Sequence, residues 1–293
     1  MRVGVLGIGT MGDAMARRLL EKGFVVDAWN RSWGPTAALA AAGAIAHADP
    51  HQAVVSAEVV LTMLPTGDAV SEVVLRGGVL EALRPAAIWA QMGTIGLDAT
   101  ERTAAEVARR RADVIFVDAP VSGSREPARS GRLLILASGP EEAQPTLEPV
   151  FEALGQRTAW LGPAGRGSRM KLLLNTLLAF EIEAVAEVDA LASKLGVPYA
   201  DLVRTLAGGP LASAVEMTKL AKMEGGDHSA DFSLEWALKD LDLALNASGS
   251  ETTPVVKAIA ERWRGLVEQG YGGLDVSAAR LGLAGTAAPI TAR

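Results

Sequence analysis

At 293 residues, 49% of them hydrophobic and 21% charged, the chain is long enough for two domains that each bury a core. A formal charge of −6, with the basic residues scattered apart from Arg109, Arg110 and Arg111, argues against a nucleic-acid partner. There is no cysteine, which removes disulfides, thiol nucleophiles and thiolate metal sites; the three histidines (His47, His51, His228) lack metal-ligand spacing, so no metal is expected.

The first half alternates short β-branched runs with amphipathic stretches. Arg2–Leu6 reads as a strand beginning almost at the first residue, with no signal-peptide pattern before it, and a cytoplasmic protein is expected. Gly7, Ile8, Gly9, Thr10, Met11 and Gly12 follow, then a helix over Asp13–Lys22 and a second strand over Phe24–Trp29. Strand, glycine turn, helix and strand within thirty residues is the context in which G-x-G-x-x-G signals a dinucleotide. Gly7 permits the tight turn, Gly9 the close approach of a pyrophosphate, and Gly12 the packing of helix on strand. The helix N-terminus then supplies unpaired N–H groups to the phosphates.

The end of the second strand decides between the two nicotinamide cofactors. Alternation puts Val26, Ala28 and Asn30 on one side and Asp27 on the other, so the terminal position is Asn30, followed by Arg31 and Ser32. An acidic group there would repel a 2′-phosphate; an amide, a guanidinium and a hydroxyl suit one. NADP(H) is therefore preferred, with NAD(H) as the alternative.

Further strands are expected at Val59–Leu64, Ala87–Met92, Val114–Val117 and Leu133–Ala137, and a last one at Thr158–Leu161 after a helix over Pro140–Val150. The alternation implies a mostly parallel sheet with helices on both faces, where ligands bind beyond the carboxyl ends of the strands. Met63, Leu64 and Pro65, then Thr94, then Asp118–Ser124 sit at those ends. Ser122, Gly123 and Ser124 form a turn rich in N–H groups and hydroxyls, suited to a substrate carboxylate.

From Gly162 the character changes. Gly162, Gly165 and Gly167 read as a flexible lead-in, and a long helix over about 168–195 follows. Lys171 and Asn175, four apart, share one face of it, continued by Leu178 and Ile182. Glu181, Glu183, Glu187 and Asp189 interrupt the apolar run, so it is a buried or interface helix and not a membrane span. More helices are expected at Asp201–Ala207, Ala212–Met223, Leu234–Ala247 and Thr253–Gln269. Phe232 and Lys239, seven apart, fall nearly in register on one helix face. The division is a Rossmann-type α/β nucleotide domain over 1–162 and an all-α substrate and oligomerisation domain over 163–293, joined by the long central helix. A helix apolar on most faces must be covered on all of them, so a homodimer or homotetramer is expected.

Four separated motifs resemble the signatures of the β-hydroxyacid dehydrogenase family. They are Gly7–Ala16, Asp118–Gly123, Gly165–Asn175, and Phe232 through Lys239 and Asp240. The resemblance covers nearly the whole chain, to Asp275–Ala278. Ser124–Ala128 and Asn30–Ser32 look most like its glyoxylate/succinic semialdehyde reductase branch. It implies that Lys171 is the catalytic lysine, that Asn175 orients substrate, and that Ser122 and Gly123 bind its carboxylate. It further implies that Lys239 and Thr94 lie near nicotinamide and substrate, and that Met63–Pro65 covers the cofactor. Two departures matter. Gly93 stands where the family more often has serine, and Ser124 and Arg125 replace the second glycine and next residue of the commoner loop.

The chemistry fits these residue types. Reducing an aldehyde requires a hydride on carbon and a proton on oxygen; the cofactor supplies the first, the protein the second. Without cysteine or a well-placed histidine, Lys171 is the natural proton donor, and a nearby Lys239 would lower its pKa. The expected protein is an NADPH-preferring oxidoreductase of a small carboxylated aldehyde or hydroxyacid, of glyoxylate or succinic semialdehyde type. An imine reductase on the same fold, which usually carries aspartate or tyrosine in place of Lys171, and a non-catalytic NADP-binding protein are the competing readings.

Overall fold

The computed structural model describes residues 1–249 and 253–283. The chain divides into two compact units, Met1–Lys171 and Leu172–Arg293.

In the first unit, β1 (Arg2–Leu6), α1 (Thr10–Glu21), β2 (Val25–Trp29), α2 (Trp33–Ala40), β3 (Ile45–His47) and β4 (Val59–Thr62) come in succession. Two short helices, α3 (Gly67–Val70) and α4 (Val79–Ala82), lead to β5 (Ile88–Gln91), α5 (Leu97–Arg110) and β6 (Ile115–Asp118). The six strands form one parallel sheet in the order β3-β2-β1-β4-β5-β6. This is the doubly wound arrangement, and the order reverses between β1 and β4, where a crevice opens beyond the strand ends. Both faces are covered, which is why the strands read as unbroken apolar runs. Val3, Val5, Val59 and Leu61 pack on one side with Leu19 and Phe151; Leu6, Val60, Trp89 and Phe116 pack on the other.

The large sheet ends at β6, earlier than the strand pattern implied. Ala119 and Pro120 turn the chain, and β7 (Val121–Ser122) runs antiparallel to β8 (Leu133–Ala137) after the short helix α6 (Arg125–Ser130). A turn of 3₁₀ helix, α7 (Gln144–Leu154) and β9 (Gly155–Trp160) follow; β9 pairs parallel with β8, making a separate three-stranded sheet. The three-residue β3 and two-residue β7 escaped the sequence reading because neither is long enough to show a period.

The helix α8 (Arg166–Leu195) runs out of the first unit, and the described part of the second is otherwise α9 (Tyr199–Leu206), α10 (Ala214–Gly225), α11 (Leu234–Ser248), α12 (Pro254–Leu266) and short turns. Ile182, Val185, Leu220, Leu238, Ile259 and Trp263 are at the centre of its core. Two of the acids that interrupt α8 face inward. Glu183 accepts from the Arg262 guanidinium and, at 2.8 Å, from Trp263 Nε1; Asp189 accepts from Arg280. Its exposed side is the apolar one, with Leu173 65% and Leu177 55% exposed.

Candidate active site

At the end of β1 the glycine loop is shaped by contact. A Cβ on Gly12 would lie 1.9 Å from the Gly7 carbonyl oxygen, so only glycine lets α1 start so close to the strand. Gly9 is different: nothing lies within 4 Å of where its Cβ would be. Gly9 also caps α1 without a side-chain hydrogen bond, leaving the first-turn amides directed at open space. An open backbone at a helix N-terminus, at the switch point of the sheet, fits the pyrophosphate of a dinucleotide.

Asn30, at the end of β2, is tied back to that loop. Its Oδ1 accepts from the Ile8 N–H at 3.0 Å, and its Nδ2 donates to Ser32 Oγ at 2.9 Å. Arg31 beside it is exposed. Ser32 begins α2, and its hydroxyl takes no part in capping that helix. Asp27 points away, buried, accepting from Arg2 at 2.9 Å and meeting His47 Nε2 at 2.7 Å. No acid is left at the strand tip itself.

Met63, Leu64 and Pro65 follow β4, with the Met63 N–H donating to Leu6 O at 2.9 Å. Thr94 follows β5 in a turn locked by a buried chain of hydrogen bonds. Trp89 Nε1 donates to Thr62 Oγ1 (2.9 Å), Thr62 Oγ1 to Gln91 Oε1 (3.0 Å), and Gln91 Nε2 to Gly93 O (2.6 Å). The sequence reading passed over Thr62 and Gln91. Their only signal was two polar residues at the ends of fully apolar strands.

Ser122 lies in β7 and Gly123 in the turn after it, ahead of Ser124 and Arg125 at the start of α6. The strand leading there ends in Asp118, fully excluded from solvent. Burial pushes this carboxyl up, against the pull of hydrogen bonds from Ser168, Ser138 and the Gly165 N–H. The lead-in to α8 is packed, not flexible as its glycines implied. Gly167 donates to Ser138 Oγ at 2.9 Å, and a Cβ on it would meet Leu136 O at 2.2 Å. Here the glycines serve close approach. Lys171, 9% exposed, stands one turn beyond Ser168.

Asn175, 7% exposed, is on the next turn of the same helix face and donates through Nδ2 to Asp240. Lys239 Nζ reaches the other oxygen of Asp240 at 3.0 Å and lies 5.5 Å from the centre of the Trp236 ring. Lys239 thus stands as half of an ion pair with a buried acid. Asp240 was missed as a site residue because a Lys-Asp neighbour pair usually marks a solvated surface.

Phe232 is not on the face of α11, which starts two residues later. Its N–H donates to Asp275 Oδ2 at 3.3 Å and its carbonyl accepts from Val276 N–H at 2.9 Å, and the next residue, Ser233, bridges Asp275, so the chain is still extended here and Phe232 lies outside the first helical turn. Asp275 is fully buried and receives Lys219 Nζ at 2.8 and 2.9 Å. Burial alone would raise its carboxyl; Lys219 and the Ser277 and Phe232 N–H groups outweigh that and hold it below the ordinary range.

Among the described residues no group of three or more His, Asp or Glu could hold a metal ion, and no helix is long and apolar enough to cross a membrane. The profile of the NAD binding domain of 6-phosphogluconate dehydrogenase matches residues 2–162. That of the NAD-binding region of NADP-dependent 3-hydroxyisobutyrate dehydrogenase matches residues 165–281. Glyoxylate/succinic semialdehyde reductase 1 of Arabidopsis thaliana is 33% identical over 282 residues, covering 95% of this chain and 96% of that protein. The NAD-dependent L-serine dehydrogenase of Pseudomonas aeruginosa is 32% identical over 286 residues, covering 94% and 95%. A solved structure of Mycobacterium tuberculosis 3-hydroxyisobutyrate dehydrogenase with L-serine superposes with a TM-score of 0.86 at 28% identity, covering 95% of this chain and 97% of that one.

Proposed function

The chain belongs to the β-hydroxyacid dehydrogenase family of NAD(P)-dependent oxidoreductases, and on that premise we propose that it reduces a small carboxylated aldehyde with NADPH, Lys171 giving the proton. The observation that carries the reading is the setting of Lys171. It is a nearly buried lysine on the second turn of a helix whose first turn hangs on the strand that runs into Ser122 and Gly123.

In the proposed site the loop Gly7, Ile8, Gly9, Thr10, Met11 and Gly12 holds the pyrophosphate, while Met63, Leu64, Pro65 and Phe232 bound the cofactor. Arg31 and Ser32, at the uncapped start of α2, take the 2′-phosphate, with Asn30 tying Ser32 to the glycine loop. The inward turn of Asp27 supports this, since it removes the acid that would select NAD(H). When bound, the nicotinamide exchanges a hydride with the substrate carbon.

The chain's own residues do the remaining work. Ser122 and Gly123 receive the substrate carboxylate, which orients the aldehyde and makes the encounter effectively unimolecular. Lys171 Nζ donates a proton to the carbonyl oxygen as negative charge develops there, and acts as base in the reverse direction. Asp240 draws the Asn175 amide nitrogen toward itself, which turns the Asn175 carbonyl oxygen outward as an acceptor for the hydroxyl of the alcohol that forms. Thr94 and Lys239 complete the contacts to nicotinamide and substrate. The substrate class proposed is that of glyoxylate or succinic semialdehyde, and the assembly a homodimer or homotetramer through the apolar side of α8.

Steady-state turnover with NADPH and NADH against aldehydes, imines and hydroxyacids tests the reading. Lys171→Ala is expected to lower kcat by about 10²–10⁴-fold while cofactor affinity holds. Full turnover in that variant would remove lysine from the chemistry, and imine turnover above aldehyde turnover would replace the substrate class.

A further inference from the structure

Two segments far apart in the chain end on one buried carboxylate. Asp118 Oδ2 accepts from the backbone N–H of Ser168 at 2.8 Å and of Gly165 at 3.2 Å, and from Ser138 Oγ at 3.1 Å. Its Oδ1 accepts from Ser168 Oγ at 2.7 Å. A charge taken wholly out of water is costly unless its lone pairs are met. Here they are met by the positive end of α8 and by two hydroxyls, so the carboxylate works as the cap of that helix.

A neutral cap would serve the helix alone. Asp118 does more, because its backbone is fixed independently of its side chain. Its N–H donates to Ser138 O at 2.9 Å and its carbonyl accepts from Ser138 N–H at 2.7 Å, while Pro120 O accepts from Leu136 N–H at 2.9 Å. The strand is therefore held on both sides of the turn that leads to Ser122. On the other arm, Gly167 lies against Leu136 O, and Lys171 is only three residues beyond Ser168. Neither arm has slack between the carboxylate and the residue it serves.

We propose that Asp118 is a positioning residue that sets the separation between Lys171 and the Ser122–Gly123 loop, by ending the strand that leads to one and capping the helix that carries the other. The proposal rests on the roles given above to Lys171 and that loop. It goes beyond them in naming what holds the proton donor and the carboxylate site in register. The side-chain partners of Asp118 are Ser138, Gly165 and Ser168, none of them in the glycine loop or the Ser122–Gly123 turn, so its removal is expected to act on the geometry of the two arms.

The test is a set of variants read by kinetics and by direct titration of NADPH. Asp118→Asn keeps the volume but turns one acceptor oxygen into an NH2 donor and removes the negative charge facing the Gly165 and Ser168 N–H groups. It is expected to lower kcat by roughly 10²-fold and raise the substrate KM, with the NADPH dissociation constant within about twofold. Ser168→Ala removes the Oγ–Oδ1 bond, together with the 3.0 Å contact of that hydroxyl to Thr100 Oγ1, and is expected to cost about tenfold in kcat with the same split. It carries the test should Asp118→Asn fail to fold. In the Lys171→Ala background either change should add less than about threefold, because the residue being positioned is gone. Costs that multiply in the double variants, or a loss of NADPH affinity in step with kcat, would overturn the positioning role while leaving Lys171 as donor. Full turnover in Lys171→Ala alone would instead remove the reading beneath it.

Discussion

Gly93 and the Leu64 carbonyl are in contact so close that a Cβ on Gly93 would sit 2.4 Å from that oxygen. The position is one where the resemblance leads one to expect serine. The missing hydroxyl is thus no simple deletion; the turn after β5 and the loop after β4 have closed into the space a side chain would fill. Gly93→Ser must push the Leu64–Pro65 loop outward. Overpacking of this kind costs about 1–3 kcal/mol, or roughly 2–10 °C in Tm for a chain of this size. Because that loop is proposed to bound the cofactor, NADPH affinity should fall by about tenfold. Thermal melts and NADPH titration check both; a variant with unchanged Tm and affinity would show that the loop yields freely.

Arg31 is the cofactor test. Asn30 is spent on Ile8 and Ser32, so the exposed guanidinium is the charge available to a 2′-phosphate. A hydrogen bond to a charged group contributes about 1.5–3 kcal/mol. Arg31→Ala should therefore lower kcat/KM for NADPH by tenfold or more and leave that for NADH nearly unchanged. Equal losses with the two cofactors would refute the assignment.

The second unit should be acid-sensitive through His228. Its Nδ1 lies 2.9 Å from Ser277 Oγ and its carbonyl accepts the Asp275 N–H at 2.9 Å. Burial pushes the imidazole down, more than Asp275 and Asp227 pull it up, with Lys222 adding to the fall. The unfolded chain then takes the proton first as pH falls. Stability contributed by the neutral ring is fully present above the unfolded value near 6.5 and declines below it until the folded ring also protonates. Asp275 acts lower on the scale: its stabilisation is present above the ordinary aspartate range and is lost as pH falls through its depressed folded value. His228→Asn, which can keep the bond to Ser277, should flatten Tm between pH 7 and 5. Identical slopes in the two proteins would acquit the histidine.

How much of this was legible beforehand follows from what each residue's neighbours in sequence reveal. The glycine loop, β1, β2 and α8 carry local periods and turn signals, and their bounds lie within a few residues of the expected ones. Asp240 and Asp118 carry no such signal. Each is an acid whose partners, Asn175 for one and Ser168 for the other, lie 65 and 50 residues away in the chain. The packed lead-in to α8 was misread for the same reason. Glycines for flexibility and glycines for close approach look alike until Leu136 O is seen beside Gly167. Phe232 failed differently: a spacing of seven suggested one helix, but the neighbouring Ser233 bridges Asp275 and the helix starts only at Leu234.

The last expectation concerns what covers α8. Leu173, Leu177, Phe180, Ala184, Val188, Leu191 and Leu195 are all exposed, spaced four, three, four, four, three and four apart. That spacing averages close to 3.6 residues per turn, so the row stays on one side of the helix without drifting. Meanwhile Glu183 and Asp189, which could have served as a solvated face, are turned inward to Arg262 and Arg280. With those two acids inside and this row of apolar side chains outside, beside the exposed Glu187, the helix presents a long apolar strip that water disfavours, each buried leucine being worth about 1.5–3 kcal/mol. Such a strip marks an association surface, and the proposed occupant is the same strip of another copy. Leu177→Glu with Leu191→Glu would place charges at the centre of that contact without touching the unit's own core. Sedimentation of the unaltered protein at micromolar concentration should give a dimer or tetramer, and the double variant should shift toward the monomer with its far-UV spectrum retained. A single-chain mass for the unaltered protein would remove the assembly, and a double variant that stays assembled would move the contact to another face.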